Sequence, residues 1–217
     1  MLSKKIIVIV GLVSIFLSGC ATVEPYDYSA FIASKPRSIL VIPPMNDTVE
    51  VNAPYTFIST ITRPLAEKGY YVFPVAVIDT FLKENGLPTP AEMNDVPLDK
   101  LREYIGADAV LYTHINQWGQ KYQVVSSKAV VSANLKLVDA QTGNVIWAAN
   151  AEAVQQSDNS GGGLAGALLG AIVDQVAGSL VDHTQGLSAQ ANTAAINNSK
   201  RGLLYGPYRE EAYQVPQ

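Results

Sequence analysis

The apolar positions of this chain change period several times, and each change marks an element. SILVIPP (38–44) is a compact apolar run stopped by two prolines, which predicts a buried strand. From Pro54 to Lys68 the apolar residues fall near helical spacing, with Tyr55, Ile58, Ile61, Thr62 and Leu65 on the predicted face. Pro54 suits a first helical position, and Pro64 is expected to kink or restart the helix. YYVFPVAVI (70–78) reads as a second strand running into a helix, DTFLKENG, closed by Gly86. LPTPAEMNDVP is a proline-rich connection, followed by a short helix with Leu98, Leu101 and Ile105 on one face.

ADAVLYTHINQW predicts a third strand, on which Val110, Tyr112, His114 and Trp118 share a face. Residues 128–154 read as two strands joined by a tight turn, where Asp139 accepts backbone hydrogen bonds and Gly143 takes a positive φ. Val131, Ala133, Leu135 and Leu137 share a face in the first arm, and Val145 and Trp147 in the return arm. A glycine-rich linker leads to a helix at 164–183, a weaker alanine-rich helix at 187–204, and a tyrosine-bearing tail of irregular structure. The order is β-α-β-α-α-β-β-β-α-α. It predicts an α/β fold: a mixed sheet of about five strands with packed helices, plus a C-terminal helical pair.

The amino terminus belongs to a different kind of segment. MLSKK is short and positive, IIVIVGLVSIFL is apolar but too short for a comfortable membrane span, and LSGC follows. Small residues at Ser18 and Gly19 let a peptidase reach the bond before Cys20, whose thiol can accept a diacylglycerol. The four residues resemble the lipobox of bacterial lipoproteins. That resemblance implies cleavage between Gly19 and Cys20, lipidation of Cys20, and attachment to a membrane through several acyl chains. Ala21 follows the cysteine rather than Asp, which by lipoprotein sorting rules favours the outer membrane. The expected divisions are a signal peptide (1–19), a lipidated tether (20–36), an α/β domain (37–157), and a glycine hinge with helices and tail packing on that domain (158–217).

Composition narrows the chemistry. The chain of 217 residues suffices for one domain with a real core. Its formal charge is −4, and setting aside Lys4 and Lys5 with the signal makes it −6. No basic run is present to neutralise phosphates, so no nucleic-acid partner is expected. Cys20 is the single cysteine, so the rest of the chain has no disulfide and no thiol nucleophile. The two histidines, His114 and His183, lack His, Asp or Glu neighbours at metal-ligand spacing. There is no G-x-S-x-G elbow, and Asp79, Glu84, Glu92, Asp95, Asp99 and Glu103 read as a solvated acidic surface. No cofactor, metal or catalytic residue is expected.

SGGGLAGALLG (160–170) is the segment with competing readings. Gly161, Gly163 and Gly166 have dinucleotide-loop spacing, yet no second apolar strand follows to close a βαβ unit. Uncharged sequence from Gly161 ends at Asp174 after 13 residues, short of a span. A packing face remains, with Gly162, Gly166 and Gly170 four apart beside the apolar stripe of Leu169 and Val173. It would meet either its own domain or a second subunit, as in a homodimer.

ILVIPPMNDTVEVNAP, PLAEKGYYVFPV, GADAVLYTHINQW and LVDAQTGNVIW, together with LSGC, resemble a bacterial lipoprotein family of unknown function. Its members are often encoded beside a lipoprotein similar to the curli secretion channel CsgG. GADAVLYTHI and VDAQTGNVIW are also similar to strands of TolB N-terminal-type domains and of LpoB, a lipoprotein activator of penicillin-binding proteins. The resemblance implies a TolB-like α/β domain. It also implies a non-enzymatic interaction or assembly module of an envelope transport or secretion complex, facing the periplasm with a CsgG-like lipoprotein partner. The alternatives are an LpoB-like regulator of peptidoglycan synthesis and a carrier of a small apolar ligand in an enclosed cavity. An enzyme would require a convergent polar pocket around His114.

Overall fold

The computed structural model describes residues 25–122, 127–157 and 184–215. Helix α1 (Ser29–Ser34) precedes strand β1 (Ser38–Val41) and the two-residue β2 (Met45–Asn46). Then come α2 (Ala53–Glu67), β3 (Tyr71–Val72), α3 (Val75–Glu84), α4 (Pro90–Asn94) and α5 (Leu98–Ile105). Three long strands follow, β4 (Ala109–Tyr122), β5 (Ser127–Asp139) and β6 (Val145–Ser157), and α6 (Thr184–Ile196) is the last described helix.

The strands form one mixed sheet in the order β3-β1-β4-β5-β6, with β2 also pairing β4. β1 and β2 lie in line beside β4, both parallel to it, because Pro43 and Pro44 interrupt what would otherwise be one strand. β4, β5 and β6 form an antiparallel meander. The expected α/β mixed sheet with packed helices is therefore what the chain forms, with six strands rather than five.

Two apolar clusters lie on opposite faces of the sheet. Ile39 and Val41 belong to one and Leu40 and Ile42 to the other, all fully or almost fully buried. Such two-sided burial is why SILVI reads as a continuous apolar run. The first face is covered by α1, α2 and α6 and holds Phe31, Phe57, Ile61, Leu111 and Trp147. The second is covered by α3, α4 and α5 over β1 and the start of β4. Beyond those helices no element among the described residues covers this face of β5 and β6, which is polar, with Asn134, Lys136, Asn150 and Glu152 exposed.

Several local expectations change. α2 runs unbroken through Pro64, whose ring is buried in the helix. Its inward face carries Phe57 with Ile58, Ile61 and Leu65, while Tyr55 is exposed. VAVI (75–78) begins α3 rather than ending a strand, with Pro74 at its N-cap. The connection at 87–97 contains α4, started by a capping box in which the Thr89 hydroxyl accepts from Glu92 N and the Glu92 carboxylate accepts from Thr89 N. Bulges reverse two face assignments. One between Ile115 and Gln117 turns Trp118 into the first cluster, away from His114. The other, opposite Leu137–Val138, leaves Val145 exposed while Ile146 and Trp147 are buried. The chain also joins the domain before residue 37, because Tyr28 and Phe31 are already buried.

Candidate functional site

His114 lies on β4 where it passes β2, opposite Met45 and Asn134. Its Nε2 is 2.6 Å from Asp47 Oδ2, and the two side chains are 43% and 65% exposed. The pair stands at the surface in water. Among the described residues no convergent pocket is found around it, and no three His, Cys, Asp or Glu side chains are grouped to hold a metal ion. The grooves nearest to pockets are shallow and open. One lies between α2 and β3, lined by Thr62, Ala66, Phe73 and Val75, and another between α5 and the 140–141 turn. The predicted cleavage and lipidation residues Gly19 and Cys20, and the predicted contact residues Gly162, Gly166, Gly170, Leu169 and Val173, lie outside the described residues, as does His183.

The densest long-range chemistry is a seam joining the two ends of the domain. Three buried aromatic side chains donate to nearly consecutive backbone carbonyls after α6. Trp147 Nε1 donates to Arg201 O at 3.0 Å, the Tyr28 hydroxyl to Gly202 O at 2.6 Å, and the Tyr70 hydroxyl to Leu204 O at 2.6 Å. These carbonyls have no helix or strand to satisfy them, so the aromatic donors take that place. Burial pushes the Tyr70 phenol far above its usual range. Gly206 N then donates to Lys68 O, and Tyr213, a residue with positive φ, donates its hydroxyl to Pro36 O and Lys35 O.

Gly206 is required by this seam. A Cβ there would run into Gly69 O and the Tyr70 ring. Tight backbone approach is thus present at Gly206 in the tail, and the glycine-rich helix for which the sequence predicts it lies outside the described residues. The Lys68 amine lies 4.2 Å over the Tyr205 ring, and Arg209 stacks on the same ring at 5.4 Å. Burial, then the Arg209 charge, holds the Lys68 amine below its ordinary value.

Two further features complete the picture. Between α2 and α6, the Thr60 hydroxyl bonds Ser188 Oγ at 2.8 Å and accepts from Asn192 Nδ2 at 2.9 Å, with Ser188 and Asn192 fully buried. On β6, the Ala148 N–H donates to the Tyr26 hydroxyl at 2.9 Å, so it points away from β5. Strand alternation turns the N–H and C=O of Asn150, Glu152 and Val154 the same way, and none of them meets a partner among the described residues. No sequence signal flags this edge, because edge position is a property of the sheet order.

Fold and seam together define a mixed-sheet α/β domain whose two ends are sewn to each other at one end of the sheet, following a lipobox-like leader. Over residues 26–208 the chain matches the family described as "Putative lipoprotein GNA1162-like", and it belongs to that family. A relative from Neisseria meningitidis serogroup B, "Putative lipoprotein NMB1124/NMB1162", is 41% identical over 206 residues, covering 92% of this chain and 94% of its own. The crystal structure of lipoprotein GNA1162 from Neisseria meningitidis aligns with a TM-score of 0.55 at 41% identity, covering 66% of this chain and 100% of that one. The LpoB C-terminal domain from Salmonella enterica aligns with a TM-score of 0.38 at 19% identity, over 59% of this chain and 98% of that one. The expected membership in a lipoprotein family therefore holds, and it makes the chain a membrane-anchored envelope protein by class.

Proposed function

We propose that this protein is an outer-membrane lipoprotein, anchored through Cys20 and facing the periplasm, whose domain is a non-enzymatic assembly module. It joins other envelope lipoproteins, a CsgG-like partner among them, in a transport or secretion complex. The observation that carries this reading is the outer edge of β6, which no strand among the described residues covers. A 13-residue strand with outward backbone groups at Asn150, Glu152 and Val154 is a template for a strand from another chain. The exposed setting of the His114–Asp47 pair and the openness of the grooves support a surface that binds protein over one that encloses a substrate. The homodimer belongs to the same proposal, through either this edge or the glycine-rich helix face.

The test is photo-crosslinking in intact cells with the probe at Val154, followed by membrane extraction. Discrete adducts are expected, and mass spectrometry of each adduct names the partner. Recovery of monomer alone would count strongly against the assembly reading.

A further inference from the structure

The surface around the seam points to a membrane-facing side of this domain. Lys35, Arg37, Lys68, Lys200, Arg201 and Arg209 are scattered over 175 positions of sequence, yet the fold gathers them around the joined chain ends. Contacts connect them. Tyr213 links its own segment to the Lys35 and Pro36 carbonyls, Lys68 and Arg209 share the Tyr205 ring, and Arg201 lies 5.7 Å from the centroid of the Tyr26 ring. Three of these six cationic side chains sit over a tyrosine ring, and Tyr208 is 71% exposed in the same region. Asp27, Asp108, Glu210 and Glu211 are the nearby carboxylates, and Asp108 is engaged by Arg37 and by the Ser38 and Arg37 amides. Asp139, which accepts from Ser34, and Glu67, paired with Arg63, adjoin the same segments, so Asp108, Asp139 and Glu67 are engaged within the protein while Lys68, Arg201 and Arg209 stand over the tyrosine rings.

Position gives the surface its occupant. Tyr26, where the described chain begins to pack, is part of it. Five residues lie between Cys20 and Tyr26, and the six residue steps cannot span more than about 20 Å. An acyl anchor at Cys20 therefore holds this side of the domain within that distance of the bilayer. Tyrosine rings with Lys and Arg side chains are the residue types that settle among lipid headgroups, and cations near the surface are attracted to anionic lipid. We infer that the Tyr26–Tyr205–Arg209 surface lies on the membrane and contacts anionic headgroups. Strands β1 and β4 run away from it, and their far end, with Asp47 and Val49, points into the aqueous space. This rests on the anchor at Cys20 proposed above.

The test uses the full lipidated protein in vesicles of phosphatidylethanolamine with phosphatidylglycerol. Because Cys20 is acylated, Gln214→Cys or Val49→Cys supplies the single free thiol for an environment-sensitive fluorophore. Quenching by a lipid-borne quencher is expected for the label at 214 and not at 49. It should weaken in Arg209→Glu and in vesicles of phosphatidylcholine alone. An anchored protein whose 214 label is unquenched, or quenched no more than the 49 label, overturns the inference. Absence of lipid on Cys20 by mass spectrometry would instead overturn the anchor reading. The surface is then judged with the same labels on a Cys20→Ser chain, whose only thiol is the introduced one, mixed with the same vesicles, where equal signals at both positions overturn it. Binding to isolated peptidoglycan in place of vesicles, lost in Arg209→Glu, would reassign the surface to an anionic glycan.

Discussion

Tyr70 donates its hydroxyl to the carbonyl of Leu204 at 2.6 Å across 134 residues of sequence, both groups buried. Tyr70→Phe keeps the ring and removes the donor, leaving Leu204 O unpaired in the interior. The loss should be about 1–3 kcal/mol, or a fall in melting temperature of roughly 2–4 °C per kcal/mol for a domain of this size. Differential scanning calorimetry measures it, and an unchanged midpoint would mean this bond of the seam carries no stability.

The same phenol makes a pH prediction. Burial raises its folded pKa far above the unfolded value near 10. Below pH 10 both states hold the proton and its contribution is fully present. Above pH 10 the unfolded state releases the proton while the folded state keeps it, so stability falls as pH rises. Urea unfolding between pH 8 and 11 should show a steeper alkaline loss in the parent than in Tyr70→Phe.

Asp139 responds at the opposite end of the pH scale. Burial alone would raise its pKa, but hydrogen bonds from Ser34, Thr142 and Gln141 together outweigh it and hold the carboxyl below its ordinary range. Its contribution is complete above the unfolded pKa near 4 and disappears as pH falls through the folded value. Asp139→Ala should cost about 2–3 kcal/mol near neutrality, and Asp139→Asn less. Both variants should flatten the acid limb of a stability profile measured by denaturant unfolding.

Asp139 also shows what the sequence made legible. The short polar run DAQTGN between apolar arms specifies a turn by local chemistry alone, and the structure has Asp139 accepting from Gln141 and Thr142 with Gly143 at φ +73. β1 and the Leu98–Leu101–Ile105 face were readable for the same reason: burial imposes a period. The T-P-A-E capping box of α4 is equally local, though it sits within a proline-rich stretch that reads as a connection. The bulges that reverse Trp118 and Val145 were not readable, since each depends on the register of a neighbouring strand. Neither the aromatic seam nor the basic surface has a sequence signature, because Tyr28, Tyr70 and Trp147 meet residues 201–204 only through the sheet order and the return of the chain after α6.

The Thr60–Ser188–Asn192 seam should behave as one unit. Thr60→Val removes the shared partner of both buried polar groups and should cost about 1–3 kcal/mol. Adding Ser188→Ala and Asn192→Leu removes the orphaned groups and should recover part of that loss. A triple variant less stable than the sum of its single changes would refute the coupling.

Lipidation is tested by Cys20→Ala, which should abolish palmitate labelling and release the protein from the membrane fraction. Persistent membrane association without label would sink the anchor reading. Substituting Leu at Gly166 or Gly170 tests the packing face predicted from sequence. The expected outcome is a changed size-exclusion profile or a lower melting temperature, with a loss of about 1–3 kcal/mol where packing is tight.

The β6 edge allows the sharpest separation of folding from assembly. At Val154 the N–H points outward, so Val154→Pro removes no bond to β5, and an outward N–H on an edge strand is where proline is tolerated. The side chain is 51% exposed, and the stability change should stay below about 1 kcal/mol. An incoming strand, however, would lose a hydrogen bond and meet the proline ring. Val154→Pro should therefore keep the parent unfolding curve while losing the adducts captured by a photo-crosslinker at Glu152 in intact cells. Adducts retained at parental yield would show that partners do not use this edge. Loss of the unfolding transition together with the adducts would show that the edge is closed within the domain itself.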